Sequence, residues 1–112
     1  MNALRDTLRK FVAERDWDQF HSPKNLAAAL SVEAAELLEH FQWLTEEQSR
    51  QLAPDKLEAV RDEMADVLVY LVRLADKLDV DLLEAVAVKM KKNALKYPAD
   101  KVRGSMKKYS DY

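Results

Sequence analysis

The sequence contains no cysteine, a single glycine and only three prolines in 112 residues. The missing cysteines exclude disulfide bridges, thiolate metal sites and cysteine nucleophiles, and their absence is compatible with a reducing compartment. Glycine and proline rarely interrupt the chain, and 48% of its residues are apolar, so the composition predicts long helices rather than an extensive sheet. At this length we expect one domain with a modest hydrophobic core.

The sequence also lacks long apolar runs and a strong excess of charge. No run is long enough to span a membrane, and no segment has the pattern of a signal peptide, so we expect a soluble, cytoplasmic protein without a membrane partner. The formal net charge is -2, whereas duplex-binding proteins usually present a strongly basic face, so no nucleic-acid partner is expected. Acidic residues gather in the middle of the chain and lysines near its end.

Helix caps and apolar periodicity predict an all-α bundle of four helices. The expected helices cover about residues 3–15, 23–44, 54–78 and 81–96. Asn2 is a candidate N-cap of the first helix, and Ser22 can cap the second, where Pro23 suits the first helical position. Thr45 and Gln48 have the spacing of a capping box, which predicts a short helical turn or a loop before the third helix.

The third helix carries the most informative pattern. One apolar stripe, calculated at ~100° per residue, contains Leu57, Val60, Met64, Val67, Leu71, Leu74 and Leu78. Glu63, Asp66 and Tyr70 border this stripe. Round the other side lie Ala65, Leu68, Val69 and Val72, so the middle of the helix is apolar over most of its circumference. This excess predicts burial against a second subunit.

Two pairs of carboxylates stand at helical spacing on two different helices. In the second helix, Glu33 and Glu36 lie on an edge beside an inward face that is expected to contain Leu30, Ala34, Leu37, Leu38 and Phe41. Residues three apart share a helix face, so this pair, like Glu63 with Asp66, can point at one spot. Four carboxylates from two helices could therefore share a cation.

The residue types limit which cation this can be. Carboxylate oxygens suit hard cations such as Mg²⁺ or Mn²⁺. A di-iron bundle would require Glu-x-x-His motifs, which the sequence lacks, and two histidines without cysteine disfavour zinc. Either acidic pair alone is more often a solvated helix face, so a non-catalytic helical module that binds a structural cation or a partner remains the alternative.

Three segments of the chain form a distinctive set: RDWDQFHSPKNLAAALSVEAAELLEHFQW, EMADVLVYLVRLADKLDVDLLEAVAVKMKKNALKYP and a tail that contains KKY. Together they resemble the MazG-like all-α NTP pyrophosphatase superfamily, in particular its dCTP pyrophosphatase branch. The resemblance extends from about residue 10 to the end. It implies a pyrophosphohydrolase domain over 1–98 followed by a basic C-terminal tail over 99–112.

The resemblance also implies roles for individual residues. The Mg²⁺ ligands and catalytic residues would be Glu33, Glu36, Glu63 and Asp66. The base pocket would contain Trp17, His21, Trp43 and Tyr70, and the phosphate side would contain Asn93, Lys96 and Tyr97. Members of this superfamily are usually homodimers or homotetramers with sites near subunit contacts.

The implied reaction is hydrolysis of a nucleoside triphosphate to the monophosphate and pyrophosphate. Its implied role is house-cleaning, the removal of unwanted nucleoside triphosphates from the nucleotide pool. The expected substrate is dCTP, and dUTP, dATP and modified nucleotides are alternatives. One acidic module is present rather than two, so the chain differs from two-domain bacterial MazG. The connection over residues 45–54 is shorter than in the animal dCTP enzymes, and its length near Trp43 bears on base preference.

Overall fold

The computed structural model describes residues 1–104, and within that range every regular element is a helix. The helices are α1 (Asn2–Glu14), α2 (Pro23–Glu39), α3 (Glu46–Arg50), α4 (Pro54–Lys77), α5 (Leu82–Lys96) and α6 (Ala99–Val102), with a 3₁₀ turn at Asp18–Phe20. The all-α prediction is confirmed. In the described part of the chain, no helix combines the length and the apolar character needed to cross a membrane.

The helices group into two compact units, Met1–Val80 and Asp81–Tyr112. The first unit contains α1 to α4, and α4 packs extensively against α2 and less extensively against α1. The second unit contains α5 and α6. Helix α6 lies in the segment for which an extended tail was expected, and residues 105–112 of that tail lie outside the described residues.

Side-chain caps begin two helices, α2 and α3, where the sequence predicted them. The Ser22 hydroxyl accepts a hydrogen bond from the Asn25 backbone N–H at 3.1 Å. The capping box also forms, because Thr45 Oγ1 accepts from the Gln48 backbone N–H at 3.2 Å while Gln48 Oε1 accepts from the Thr45 N–H at 2.9 Å. The prediction for Asn2 is wrong: it is the first residue of α1 and Met1 occupies the cap position.

Helix α2 ends earlier than its apolar pattern predicted. Its last residue is Glu39, and a turn follows over residues 40–43. The His40 backbone N–H donates to the Leu37 carbonyl at 3.2 Å, and the Phe41 N–H donates to the Leu38 carbonyl at 2.9 Å. Such bonds between residues three apart tighten the end of a helix and turn the chain away from its axis.

The core of the first unit lies where α4 meets α1 and α2. Its buried apolar residues are Val12, Leu26, Val60, Val72 and Ala75. Leu26 is only 1% exposed, and full burial of such a side chain contributes about 1.5–3 kcal/mol.

The structure corrects which face of α4 is buried. Val72 was expected to face a second subunit, but it is 4% exposed within this chain, whereas Met64, expected in the core, is 57% exposed. Leu57 and Leu78 are exposed as well. Helix α4 packs against two neighbours rather than one, so its buried surface does not follow a single stripe.

Helix α2 is corrected in the same way. Leu38, which the apolar pattern placed inward, is 61% exposed, and Ala34 is also exposed. The residue of α2 that is buried is Leu26, which lies one turn before Leu30. The large exposed apolar residues Leu57, Met64 and Leu68 lie along one face of α4, because they follow one another at intervals of seven and four residues.

Candidate active site

Three of the four predicted carboxylates come together where α2 packs against α4. Glu33 and Glu36 belong to α2 and Glu63 belongs to α4. One carboxylate oxygen of each lies within 4.8 Å of the others, and all three residues are partly buried. The Oε2 atoms of Glu33 and Glu63 are buried without a hydrogen-bond partner. We name this group the carboxylate cluster.

The carboxylate cluster is electrostatically unfavourable when it has no cation. The pKa of Glu33 rises from 4.5 to about 7, first because the carboxyl group is buried and then because the Glu63 and Glu36 carboxylates lie nearby. Buried carboxylate oxygens without donors cost free energy, and like charges add to that cost. A divalent cation would remove both penalties.

The ligand set fits a hard divalent cation. Magnesium binds oxygen at about 2.1 Å, so two ligands on opposite sides of one ion stand about 4.2 Å apart. The oxygens of the carboxylate cluster already lie within 4.8 Å of one another, so small side-chain rotations would bring them onto one ion. Among the described residues, no other group of three acidic, histidine or cysteine side chains brings its ligand atoms this close together.

Asp66, the fourth predicted ligand, does not belong to this close group. It is exposed and lines a neighbouring cavity of about 330 Å³. Asp66 lies one helical turn after Glu63 on α4, so the carboxylate cluster and the cavity adjoin along that helix. The metal-binding role of Asp66 stays a prediction.

The cavity lies among α1, the 3₁₀ turn and α4, and we name it the aromatic pocket. Its lining includes Phe11, Trp17, His21, Asp66, Tyr70 and Arg73, with aliphatic side chains from α1 and α4. Phe11 and Trp17 pack edge to face with ring centroids 5.8 Å apart. A volume of about 330 Å³ lies at the small end of the range for ligand pockets.

The connection after α1 positions two of these residues. Asp16 has a φ of +53°, a conformation that aspartate tolerates better than most residues because its short polar side chain can bond locally. The Gln19 side-chain amide donates to the Asp16 carbonyl at 3.0 Å and to its carboxylate at 3.1 Å. The chain therefore turns sharply after α1, and Trp17 and His21 both reach the aromatic pocket.

Arg73 is a pocket residue that the sequence patterns did not single out. Its side chain is 3% exposed, and it donates hydrogen bonds to His21, Asp18 and Asp76. Asp18 also pairs with Lys77 at 2.6 Å. The spacing of Asp66, Tyr70 and Arg73, four and then three residues apart, places them on one face of α4 and was the available signal.

Ion pairs and burial shift the pKa values of the three residues that Arg73 contacts, Asp18, Asp76 and His21. The hydrogen bond from Lys77 and, after it, that from Arg73 lower the pKa of Asp18 below its ordinary value. Arg9 lowers the pKa of Asp76 through a hydrogen bond at 2.7 Å. Burial and then the positive charge of Arg73 lower the pKa of His21. The aspartates therefore stay ionised and His21 stays neutral near pH 7.

The other predicted substrate-binding residues are not among those that line the aromatic pocket. Trp43 falls in the turn after α2, is 86% exposed and is not part of the aromatic pocket. Asn93 and Lys96 lie in the last turn of α5, and Tyr97 follows them, its backbone N–H donating to the Asn93 carbonyl at 2.8 Å. The roles of these four residues stay predictions.

Known proteins are similar to this chain in sequence and in fold. Residues 28–112 match the model of the MazG-like family. Over 110 residues, 96% of this chain, the sequence is 48% identical to dCTP pyrophosphatase 1 of Mus musculus and 46% identical to that of Homo sapiens. The chain spans 65% of the length of these curated relatives.

A solved structure is also similar to this chain. The fold is similar to that of a pyrophosphatase from Archaeoglobus fulgidus DSM 4304, with a TM-score of 0.78 and 45% sequence identity. The similarity covers 88% of this chain and 92% of that one. At such identity and coverage, the likeness concerns most of the chain rather than a single motif.

Proposed function

Because the chain belongs to the MazG-like family, we propose that it is a Mg²⁺-dependent pyrophosphohydrolase that converts a deoxynucleoside triphosphate, preferably dCTP, to the monophosphate and pyrophosphate. The resemblance to the dCTP pyrophosphatase branch is confirmed by relatives of that name at 46–48% identity. The observation that carries the proposal is that the carboxylate cluster and the aromatic pocket adjoin on α4.

The carboxylate cluster would hold the metal. Glu33 and Glu63 each supply a buried oxygen without a hydrogen-bond partner, Glu36 supplies a third carboxylate, and Asp66 is the proposed fourth ligand. A bound Mg²⁺ would neutralise charge on the triphosphate and make the attacking water more acidic. Water attacks the α-phosphorus, the bond from that phosphorus to the bridging oxygen breaks, and the proton passes to a carboxylate while pyrophosphate leaves.

The aromatic pocket would bind the base. Trp17 and Tyr70 line the cavity of about 330 Å³, and stacking of a base on such side chains contributes roughly 1–3 kcal/mol. Stacking tolerates every base, so discrimination requires hydrogen bonds and a limited pocket width. His21, which lines the same pocket, is the candidate group for reading the base edge.

We also propose that the protein is a homodimer or homotetramer of four-helix-bundle-like subunits. Leu57, Met64 and Leu68 are 39–57% exposed on one face of α4, and Trp43 is 86% exposed. Apolar surface of this kind commonly marks an interface. Asn93, Lys96 and Tyr97 are proposed to contact the phosphates.

The direct test measures Mg²⁺-dependent pyrophosphate release from a panel of deoxynucleoside and ribonucleoside triphosphates. We expect the highest kcat/KM with dCTP and no release when EDTA removes the metal. Glu63→Gln should lower kcat at least a hundredfold, whereas Glu58→Gln, an exposed residue on the same helix, should retain activity. Circular dichroism of both variants should show unchanged helix content.

Two outcomes would contradict the proposal. Near-normal turnover of Glu63→Gln would remove the carboxylate cluster from the mechanism. Release of pyrophosphate from none of the nucleotides, together with a rise in melting temperature when Mg²⁺ is added, would instead identify a structural cation site in a non-catalytic module.

A further inference from the structure

Of the residues that the structure describes, Arg73 is the one polar or charged residue that is buried. The proposed reaction does not require its side chain. All three guanidinium nitrogens donate to the protein itself. Nε donates to His21 Nδ1 at 3.3 Å, Nη1 to Asp76 Oδ2 at 3.2 Å and Nη2 to Asp18 Oδ1 at 2.9 Å. Arg73 is therefore engaged by the pocket wall and does not act as a free cation for the triphosphate.

The contact with His21 determines where that ring carries its proton. A guanidinium group stays protonated in proteins and offers donors without an acceptor. The nitrogen that faces Arg73 Nε must therefore carry a lone pair, and that nitrogen is His21 Nδ1. A neutral imidazole has one N–H, so the hydrogen of His21 is on Nε2.

The same arginine also fixes the segment that carries His21. Asp18 begins the 3₁₀ turn, and it is held by Arg73 at 2.9 Å and by Lys77 at 2.6 Å. Both cations belong to α4. The charged groups that act on His21 are therefore Arg73, Asp18 and Lys77, and the first of them makes the direct hydrogen bond.

We propose that Arg73 is a positioning residue that holds His21 as the neutral, Nε2-protonated tautomer, so that the aromatic pocket offers a hydrogen-bond donor and selects ligands with an acceptor at that place. Resting on the proposed function, the favoured ligand is a base that places an unprotonated ring nitrogen opposite His21. Cytosine has such an acceptor at N3, whereas N3 of uracil and thymine carries hydrogen. A donor facing that hydrogen loses its partner and rejects the base.

The tautomer can be measured without any substrate. The chain has two histidines, so ¹⁵N-histidine labelling gives a spectrum that a His40→Gln variant assigns. At pH 8 we expect His21 Nδ1 to resonate as an unprotonated nitrogen and Nε2 as a protonated one. Protonated Nδ1 in the wild-type protein would overturn the proposal, and this measurement leaves Arg73 and His21 unchanged.

Substitution of the arginine tests its causal role. In Arg73→Met, which removes the donors, both His21 nitrogens should move toward the averaged shifts of a tautomer mixture, and the pKa of His21 should rise because a positive charge is lost. Arg61→Met, an exposed residue of the same helix, is the matched control and should leave His21 unchanged. An unaltered single tautomer in Arg73→Met would refute the role of Arg73.

The effect on specificity is a separate readout. In Arg73→Met the ratio of kcat/KM for dCTP to that for dUTP should fall about tenfold, the size expected for loss of one hydrogen bond, and the change should lie mainly in KM. An unchanged ratio would contradict the selection of an acceptor. If no nucleotide is hydrolysed by the wild-type protein, the proposed function fails, whereas the spectrum still decides the tautomer.

Discussion

Replacement of Glu33 by glutamine should stabilise the metal-free protein and at the same time abolish its activity. Glu33 lies beside Glu36 and Glu63, and its Oε2 is buried without a partner. Glutamine has nearly the same shape but no charge, and its amide N–H can donate to a neighbouring carboxylate. The substitution therefore relieves the electrostatic penalty that a bound cation would otherwise relieve.

The magnitude follows from the pKa of Glu33, which rises from 4.5 to about 7. A difference of about 2.5 pH units between the two states corresponds to roughly 3 kcal/mol. Because the coupled carboxylates share this penalty and Glu33 is only partly buried, we expect about 1–3 kcal/mol of stabilisation at pH 8. For a domain of this size, that is a rise of roughly 4–12 °C in melting temperature.

The pH dependence of stability gives an independent check that Glu33→Gln stabilises the metal-free protein. The folded state binds a proton at Glu33 between pH 4.5 and about 7 that the unfolded state does not bind. The stability of the metal-free wild type should therefore fall as pH rises through this window. Glutamine does not titrate, so the melting-temperature advantage of Glu33→Gln should be near zero at pH 4.5 and largest above pH 7.

The assay is thermal unfolding in EDTA at several pH values, repeated with Mg²⁺. Glu39→Gln, an exposed residue of the same helix, is the matched control and should change the melting temperature little. Mg²⁺ should stabilise the wild type in proportion to its binding and should stabilise Glu33→Gln much less. A lower or unchanged melting temperature of Glu33→Gln in EDTA at pH 8 would refute the reasoning.

Three further predictions concern the core, the pocket and the interface. Leu26→Ala should lower the free energy of unfolding, measured by urea denaturation, by about 2–5 kcal/mol, because Leu26 is 1% exposed. Leu38→Ala should lower it much less, and equal losses in the two variants would contradict the described core. Trp17→Ala should raise KM for dCTP at least fivefold, the lower bound of a lost stacking contact, and unchanged KM would remove Trp17 from the base site. Met64→Lys should reduce the sedimenting mass while helix content is kept, and a monomeric wild type at micromolar concentration would refute the proposed oligomer.

Local features of this fold could be predicted because their causes lie within a few residues. The Ser22 cap and the Thr45–Gln48 capping box depend on side chains that reach only three residues along the chain. The carboxylate spacing is equally local, and it placed Glu33 and Glu36 on one face of α2. The same reasoning failed at Asn2, where the helix begins one residue earlier.

Faces of helices were predicted less well, because periodicity shows which residues share a face but not which neighbour covers it. The middle of helix α4 is apolar round most of its circumference, so several stripes were compatible with its sequence. Packing against α1 as well as α2 buried Val72 and left Met64 exposed. Trp43 shows the same limit, since its exposure follows from the turn that ends α2.

The sequence by itself determined the helical class, most helix starts and the residue types available for a hard cation and an aromatic pocket. Tertiary structure alone decided that Glu63 meets Glu33 and Glu36 while Asp66 turns to the pocket. It also decided the role of Arg73, whose partners Asp18 and His21 lie 55 and 52 residues away in sequence. Hydrogen bonds and pKa values depend on distance and burial in space, and for pairs so far apart in sequence both arise only when the helices pack.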